Sequence, residues 1–331
     1  MLYSLESLNL KGNYFESLPS SVGQLSKLEI LDVTHCLGLK SLPMLPSSLH
    51  SLEASYCYEL ERLPNLSNLK HLTMLHLSWC EKLIEFEGLE VLISAESIKL
   101  DNCVKLESFV ENKIFQDISK DIGNCNVCDI IFDGYEVPNW FVFQRELWSD
   151  SLSWQVPHQL PNMEIQGLII CFACKELADH CVDTGDSSWY ISAGKVVVDN
   201  KSKNFTWSRT LDIPLTVNKT TTWVIKIPNC VPPFTQPSLF KHLTKEKQAL
   251  VEFSSTGKIF PNSFVEYDDT IQVSFSFLDT DRCRYPSVKK IGVHFFYASS
   301  SQHENVSQEN FQASPENSQA SQSIKCCGFF Q

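Results

Sequence analysis

One apolar pattern recurs five times in the first 110 residues, and nothing else in the chain limits its fold as tightly. Aligned on Asn13, Cys36, Cys57, Cys80 and Cys103, the units are spaced by 23, 21, 23 and 23 residues. Five and three residues before each anchor stands an apolar or small pair: Leu8/Leu10, Leu31/Val33, Leu52/Ala54, Leu75/Leu77 and Ile98/Leu100. Three residues earlier come Leu5, Leu28, Leu49, Leu72 and, weakest, Ala95. A second apolar stretch follows each anchor, closed by Leu18-Pro19, Leu42-Pro43, Leu63-Pro64, Phe86 and Phe109. The consensus is LxxLxLxx(N/C)xxLxxLP. Alternate residues of a strand point to opposite faces, so each LxL predicts a short strand with two side chains in a shared core. The Asn or Cys turns the chain inward, and the Leu-Pro stretch makes the irregular outer side. No single turn can bury its own apolar face, so the turns must stack into a solenoid.

If those leucines and thiols are core, function falls on the strand residues that point the other way. The middle of LxL reads Asn9, Asp32, Glu53, His76, Lys99, and the next outward column reads Lys11, Thr34, Ser55, Ser78, Asp101. The column just before each anchor reads Gly12, His35, Tyr56, Trp79, Asn102. Strands stack at about 4.7–4.9 Å, so His35, Tyr56 and Trp79 are expected to form an aromatic row beside Asp32, Glu53 and His76. Such a row suits a protein-binding hot spot. The alternative is that it shields strand ends or contacts the neighbouring domain.

Composition removes several function classes. The net charge of -12 is the wrong sign for a phosphate backbone or an anionic membrane surface. No run of eighteen apolar residues spans a bilayer. Met1–Leu10 lacks the charged start and apolar stretch of a signal peptide. Thirteen cysteines, an odd number in a large chain, read as reduced buried thiols of a cytoplasmic or nucleocytoplasmic protein. Two CxxC pairs, Cys125/Cys128 and Cys171/Cys174, raise the question of zinc. The second pair lies in an apolar strand, where residues three apart face opposite sides. There is no GxSxG, P-loop or GxGxxG. No catalytic, metal or cofactor site is expected.

Past residue 110 the period changes. Ile114, Ile118 and Ile122 are spaced for a short amphipathic helix within a linker or cap over 111–128. From 129 to 298 the chain reads as strands: 129–132, 151–156, 168–174, 195–199, 205–213, 222–227, 250–254, 270–277 and 292–297, rich in Val, Ile, Phe, Trp and Tyr. Many short strands without long helices predict a two-sheet sandwich. Residues 299–331, rich in Ser, Gln and Asn, have the composition of a disordered tail. Cys326 and Cys327 near its end are candidates for acylation, though Cys327 stands one place too early for a prenylation box.

Residues 134–157 carry a specific resemblance. Gly134-Tyr135-Glu136-Val137-Pro138-Asn139-Trp140-Phe141-Val142-Phe143-Gln144, followed by Ser151-Leu152-Ser153-Trp154-Gln155-Val156-Pro157, resembles the G-x-E-[IV]-P-x-W-F-x-x-Q signature. That signature opens the C-terminal jelly-roll/immunoglobulin-like domain (C-JID) of plant TIR-NBS-LRR disease resistance proteins. Gly167–Phe172 resembles its next strand. Val288–Tyr297 resembles its closing strand, with Ile291 where the family commonly has Cys. The Cys-anchored units resemble that family's leucine-rich repeats. The resemblance implies an α/β-type horseshoe of short parallel strands over 1–110, then an all-β sandwich. Read from the residues alone, Pro138 and Trp140-Phe141 form an apolar anchor that pins a loop against the sandwich or the last repeat, the other reading being direct contact with a partner. Gly134, Glu136 and Gln144 complete the motif.

The resemblance also implies a role: recognition of pathogen effectors and autoinhibition in an intracellular immune receptor. The implied partners are proteins, namely effectors, receptor domains or guarded host proteins, and oligomerisation would belong to the full-length receptor. The family's NAD-cleaving and ATP/ADP-binding domains would precede Met1, where the repeats begin without a polar cap, so truncation of something larger is expected. Two other readings stay open: a stand-alone decoy binding other receptors, and a lectin-like sandwich with Trp and Tyr stacked on sugar.

Overall fold

The computed structural model of the chain describes residues 4–88, 95–106, 128–133, 137, 141, 143–146, 151–157, 163–177, 189–216, 220–229, 251–255, 263, 265–278 and 285–299. The helix expected within 111–128, the motif residues Gly134, Glu136, Pro138 and Trp140, and the 299–331 tail beyond Ser299 lie outside the described residues. Among the described residues no helix is long and apolar enough to cross a membrane.

The five LxL cores are strands: β1 (Ser7–Asn9), β2 (Ile30–Asp32), β3 (Ser51–Glu53), β4 (Met74–His76) and β5 (Ser97–Leu100). They pair in parallel, with Leu8, Leu31, Leu52, Leu75 and Ile98 in one register line. Leu28, Leu31, Leu49, Leu52, Leu72, Leu75 and Ile98 are wholly buried, each burial stabilising by roughly 1.5–3 kcal/mol. The returning side of the turns is irregular, with one 3-10 helix at Ser20–Gln24 among the described residues.

The anchor column has a hydrogen-bond reason. Each thiol donates to a carbonyl of the preceding turn: Cys36 Sγ to Leu10 O and Cys57 Sγ to Val33 O (3.2 Å each), Cys80 Sγ to Ala54 O (3.2 Å) and Cys103 Sγ to Leu77 O (3.0 Å). Asn13 Nδ2 serves Leu10 O within its own turn at 2.9 Å. The site asks for a small side chain with a donor, and Cys supplies one while being nearly apolar. Burial pushes the Cys57 thiol up to about 12 and raises Cys80 and Cys103 as well. These thiols therefore stay protonated and able to donate, and the described cysteines are all free.

The sandwich does not sit beyond the solenoid as a separate sheet. Strand β6 (Cys128–Asp133) pairs in parallel with β5, Ile98 opposite Ile130 and Lys99 opposite Ile131. The rest are β7 (Phe143–Glu146), β8 (Ser151–Gln155), β9 (Met163–Leu177), β10 (Trp189–Asn200), β11 (Phe205–Thr216), β12 (Thr220–Pro228), β13 (Val251–Ser255), β14 (Thr270–Phe277) and β15 (Tyr285–Ser299). One sheet runs β1-β2-β3-β4-β5-β6-β12-β9-β15-β7, and the second runs β13-β11-β10-β14-β8. Strand β7 was not expected from the sequence. It is a polar edge strand on β15 with Arg145 and Glu146 exposed, so it carries no apolar alternation to read.

Alternation along the shared strands separates two cores. Cys128, Ile130 and Phe132 join the solenoid core, whereas Ile131 joins the sandwich core. On β9, Ile169, Cys171 and Ala173 face the first, and Leu168, Ile170, Phe172 and Cys174 the second. Cys171 and Cys174 thus lie on opposite faces, as their spacing requires. The second sheet covers the side on which Lys99 and His76 are only half-buried, so the open face of the solenoid runs straight into the base of the sandwich.

Two side-chain devices close this junction. The N–H of His35, Tyr56 and Trp79 each reaches a carbonyl of the next turn: Ser55, Ser78 and Asp101. In the last turn Asn102 N donates instead to a side chain, Asp133 Oδ2, at 2.8 Å, Asp133 being the residue at the register position whose carbonyl the earlier turns use. Four residues earlier on β6, buried Asp129 forms an ion pair with Arg209 of the second sheet and accepts from Trp223 Nε1 at 3.2 Å.

Two of the sequence motifs meet on the opposite face. A Cβ built on Gly292 would lie 2.2 Å from Val137 Cγ1 and 3.0 Å from the Phe141 ring. Val137 and Phe141 are buried, and Gln144 Nε2 holds Phe141 O at 3.1 Å. The glycine of the closing strand therefore leaves room for the post-repeat segment to dock. Gly292→Val is expected to cost at least about 2 kcal/mol by overpacking, read as a lower urea midpoint with an unchanged m-value.

Candidate partner-binding surface

The column before the anchors adopts one backbone conformation throughout. Gly12, His35, Tyr56, Trp79 and Asn102 have φ of 73, 60, 62, 66 and 58°. This left-handed turn brings the chain from strand to inward anchor. It costs a non-glycine residue about 1–2 kcal/mol, least for Asn. Gly12 and Asn102 fit that demand, but three large rings stand between them.

Those rings stack. The centroids of His35 and Tyr56 are 4.4 Å apart at 8° between planes, and those of Tyr56 and Trp79 are 6.0 Å apart at 11°. Tyr58, one residue past its anchor, meets Tyr56 edge-on at 6.5 Å. Exposure falls along the column: Gly12 and His35 are exposed, Tyr56 and Trp79 half-buried, Asn102 buried. The row thus emerges from the junction with the sandwich towards the first turn.

A polar ladder lies parallel to the row, with Asn9, Asp32, Glu53, His76 and Lys99 in register. Asn9 Nδ2 reaches Asp32 Oδ2 at 3.4 Å, and Asp32 Oδ1 accepts Thr34 N at 2.9 Å. His76 bridges neighbouring turns through Nδ1 to Glu53 Oε2 and Nε2 to Ser97 Oγ, both at 3.0 Å. A neutral ring donating from Nδ1 accepts the Ser97 hydroxyl at Nε2. Between row and ladder, buried Asp101 accepts Ser78 Oγ–H at 2.6 Å. Burial raises its carboxyl above the usual range, against the opposing pull of Ser78, Lys99 and Asn102. Burial also raises the Tyr56 and Tyr58 hydroxyls, and the Asp101 and Glu81 carboxylates add to the effect.

The six residues singled out from the sequence therefore form two rows: His35, Tyr56 and Trp79 stacked, and Asp32, Glu53 and His76 laddered. Phe141 and Gln144 lie elsewhere, in the docked segment behind the sandwich. Three features escaped the sequence reading. The left-handed column was signalled by Gly12 and Asn102 at its two ends. The apolar residues directly after the anchors, Tyr14, Leu37 and Val104, are exposed, and the repeat alignment contains that column. Asp129 and Arg209 had no signal, since 80 residues separate the partners.

The fold and site define a leucine-rich-repeat solenoid continued through one sheet into a β-sandwich. No protein-family model matches the chain. Several plant disease resistance proteins match parts of it. The disease resistance-like protein DSC1 of Arabidopsis thaliana is 50% identical over 64 residues, 19% of this chain and 5% of that protein. The disease resistance protein RML1A of Arabidopsis thaliana is 33% identical over 97 residues, 28% of this chain and 10% of that protein. The TMV resistance protein N of Nicotiana glutinosa is 25% identical over 226 residues, 62% of this chain and 17% of that protein. The chain thus corresponds to a small fraction of these relatives' length. The matches agree with a C-terminal part of plant TIR-NBS-LRR disease resistance proteins.

Two stability measurements follow from the geometry. Trp79→Gly is expected to be more stable than Trp79→Ala by about 1 kcal/mol in urea unfolding, because both lose the ring but only glycine sheds the strain of φ 66°. Asp101 has a raised folded-state pKa, so its contribution to stability is full at low pH and is lost as pH rises through that value. Asp101→Asn, which keeps an acceptor for Ser78, is expected to melt above the parent at neutral pH. The gap should close as pH falls to about 4, where an ordinary Asp protonates.

Proposed function

We propose that this chain is the effector-recognising and autoinhibitory module of a plant intracellular immune receptor, acting through protein contact and without catalysis. The observation that carries the reading is the stacked row His35–Tyr56–Trp79. Three large rings occupy backbone positions that Gly or Asn would hold at lower cost. Local strain retained at a surface is a mark of function. Aromatic rings offer large contact area with few rotors to freeze, which suits a hot spot. The relatives named above are resistance proteins, and that supports a role in plant defence.

The one-sheet junction bears on the proposed autoinhibition. A partner lying along the ladder from Asp32 to Lys99 would abut the second sheet near Arg209, so one ligand would read both parts of the molecule. A cytoplasmic location goes with this reading.

The double variant Tyr56→Ala/Trp79→Ala tests it. Hot-spot truncation costs at least about 2 kcal/mol, so co-precipitation of a co-expressed effector bound by the parent chain should fall by more than about tenfold. The melting temperature should stay within a few degrees. Undiminished capture by a folded double variant would remove the row as the recognition surface.

A further inference from the structure

We propose that the face of the His35 ring turned towards Gly12 is a socket for an arginine guanidinium presented by a protein partner. This rests on the reading of the ring row as a partner-binding surface and names the chemistry taken at its outer end. The stack has two ends. At the inner end Trp79 is followed in the column by the buried Asn102. At the outer end His35 is followed by Gly12, and a Cβ built on Gly12 meets nothing within 4 Å. The column conformation continues through Gly12, at φ 73°, so the repeat places open space where the next ring of the stack would lie. His35 itself is exposed. Tyr14, 83% exposed, lies one column further on, its ring over Gly38.

Shape asks for a flat group, and charge selects among flat groups. Asp32 lies three residues before His35, and its Oδ2 holds the exposed Asn9 amide at 3.4 Å, a long bond that a better donor displaces. Glu53 follows in the same ladder, and the chain carries a net charge of -12. Lys11, exposed beside Gly12, is the opposing cation, carried on a flexible side chain. A guanidinium is planar, stacks on aromatic faces and is weakly hydrated for a cation, and it pairs with carboxylates through a fixed fork of donors. An indole or phenol matches the shape but leaves the carboxylate unanswered, and an ammonium answers the charge without a face to stack.

The full chain with 13C-labelled histidine is titrated with the peptide Gly-Ser-Arg-Ser-Gly and with versions carrying lysine, citrulline or tryptophan in place of arginine. The His35 signal is assigned by its loss in His35→Gln. The arginine peptide is expected to move that signal saturably, with a Kd of about 1 mM, and the other three to bind at least about fivefold more weakly. In Gly12→His the added ring stacks on His35 in cis and should abolish the shift, whereas Gly12→Asn, suited to the left-handed region, should keep it. No saturable shift, or an equal response to citrulline or tryptophan, overturns the socket. The peptide series on the unaltered chain decides by itself if Gly12→His does not fold. A chain whose partner is lost in Tyr56→Ala/Trp79→Ala, yet whose His35 ignores the arginine peptide, refutes the socket and leaves the row. The reverse pattern refutes the wider row and leaves the socket as the binding element.

Discussion

The parallel pairing of β5 with β6 is the constraint on which the molecule depends. A stack of turns ends in an open strand edge and a row of unmet backbone groups, a liability that must be covered. Here β6 supplies the next rung, Ile130 following Ile98 and Ile131 following Lys99. At the register position where earlier turns offer a backbone carbonyl, the Asp133 side chain receives the N–H of Asn102 through Oδ2. From that rung antiparallel pairing takes over through β12 and β9, so solenoid and sandwich share one hydrogen-bonded sheet. The second sheet then packs on the side that the solenoid leaves open, and buried Arg209 crosses to Asp129 to tie the two layers.

That arrangement sets the proposed recognition surface in the angle between the solenoid strands and the second sheet. The half-buried ladder of Asp32, Glu53, His76 and Lys99 leads into a register position that becomes apolar core at Ile131. Burial deepens along the ring column in the same direction, from exposed His35 to buried Asn102. Asp101 is buried beside the rings, and its carboxylate adds to burial in raising the Tyr56 hydroxyl. The surface carries its strain openly. Left-handed backbone under three rings and a desolvated carboxylate both lower stability, and the leucine core beneath, wholly buried in every central turn, offsets them.

Much of this was legible because it repeats. A leucine that must enter a shared core recurs at a fixed interval, so Leu31, Leu52 and Leu75 declare their own register, and Cys36, Cys57 and Cys80 theirs. The sandwich strands were readable as apolar runs, although their ends were not: β15 begins at Tyr285, well before the expected 292, because pairing with β9 extends it. The Val137/Phe141 segment and Gly292 were each visible as motifs, more than 150 residues apart. Their contact was not, since nothing in either stretch names the other.

The sequence by itself determined the turns, their inward thiols and the columns that point away from the core, because local period and side-chain alternation follow directly from residue order. Only the tertiary structure decided that the last turn hydrogen-bonds to the sandwich, that rings at 21- and 23-residue spacing stand face to face at 4.4 and 6.0 Å, and that their column is left-handed. The reason is physical. Strand edges satisfy their backbone groups with whatever partner the whole chain brings alongside, and backbone N–H and C=O carry no residue identity by which that partner can be read in advance.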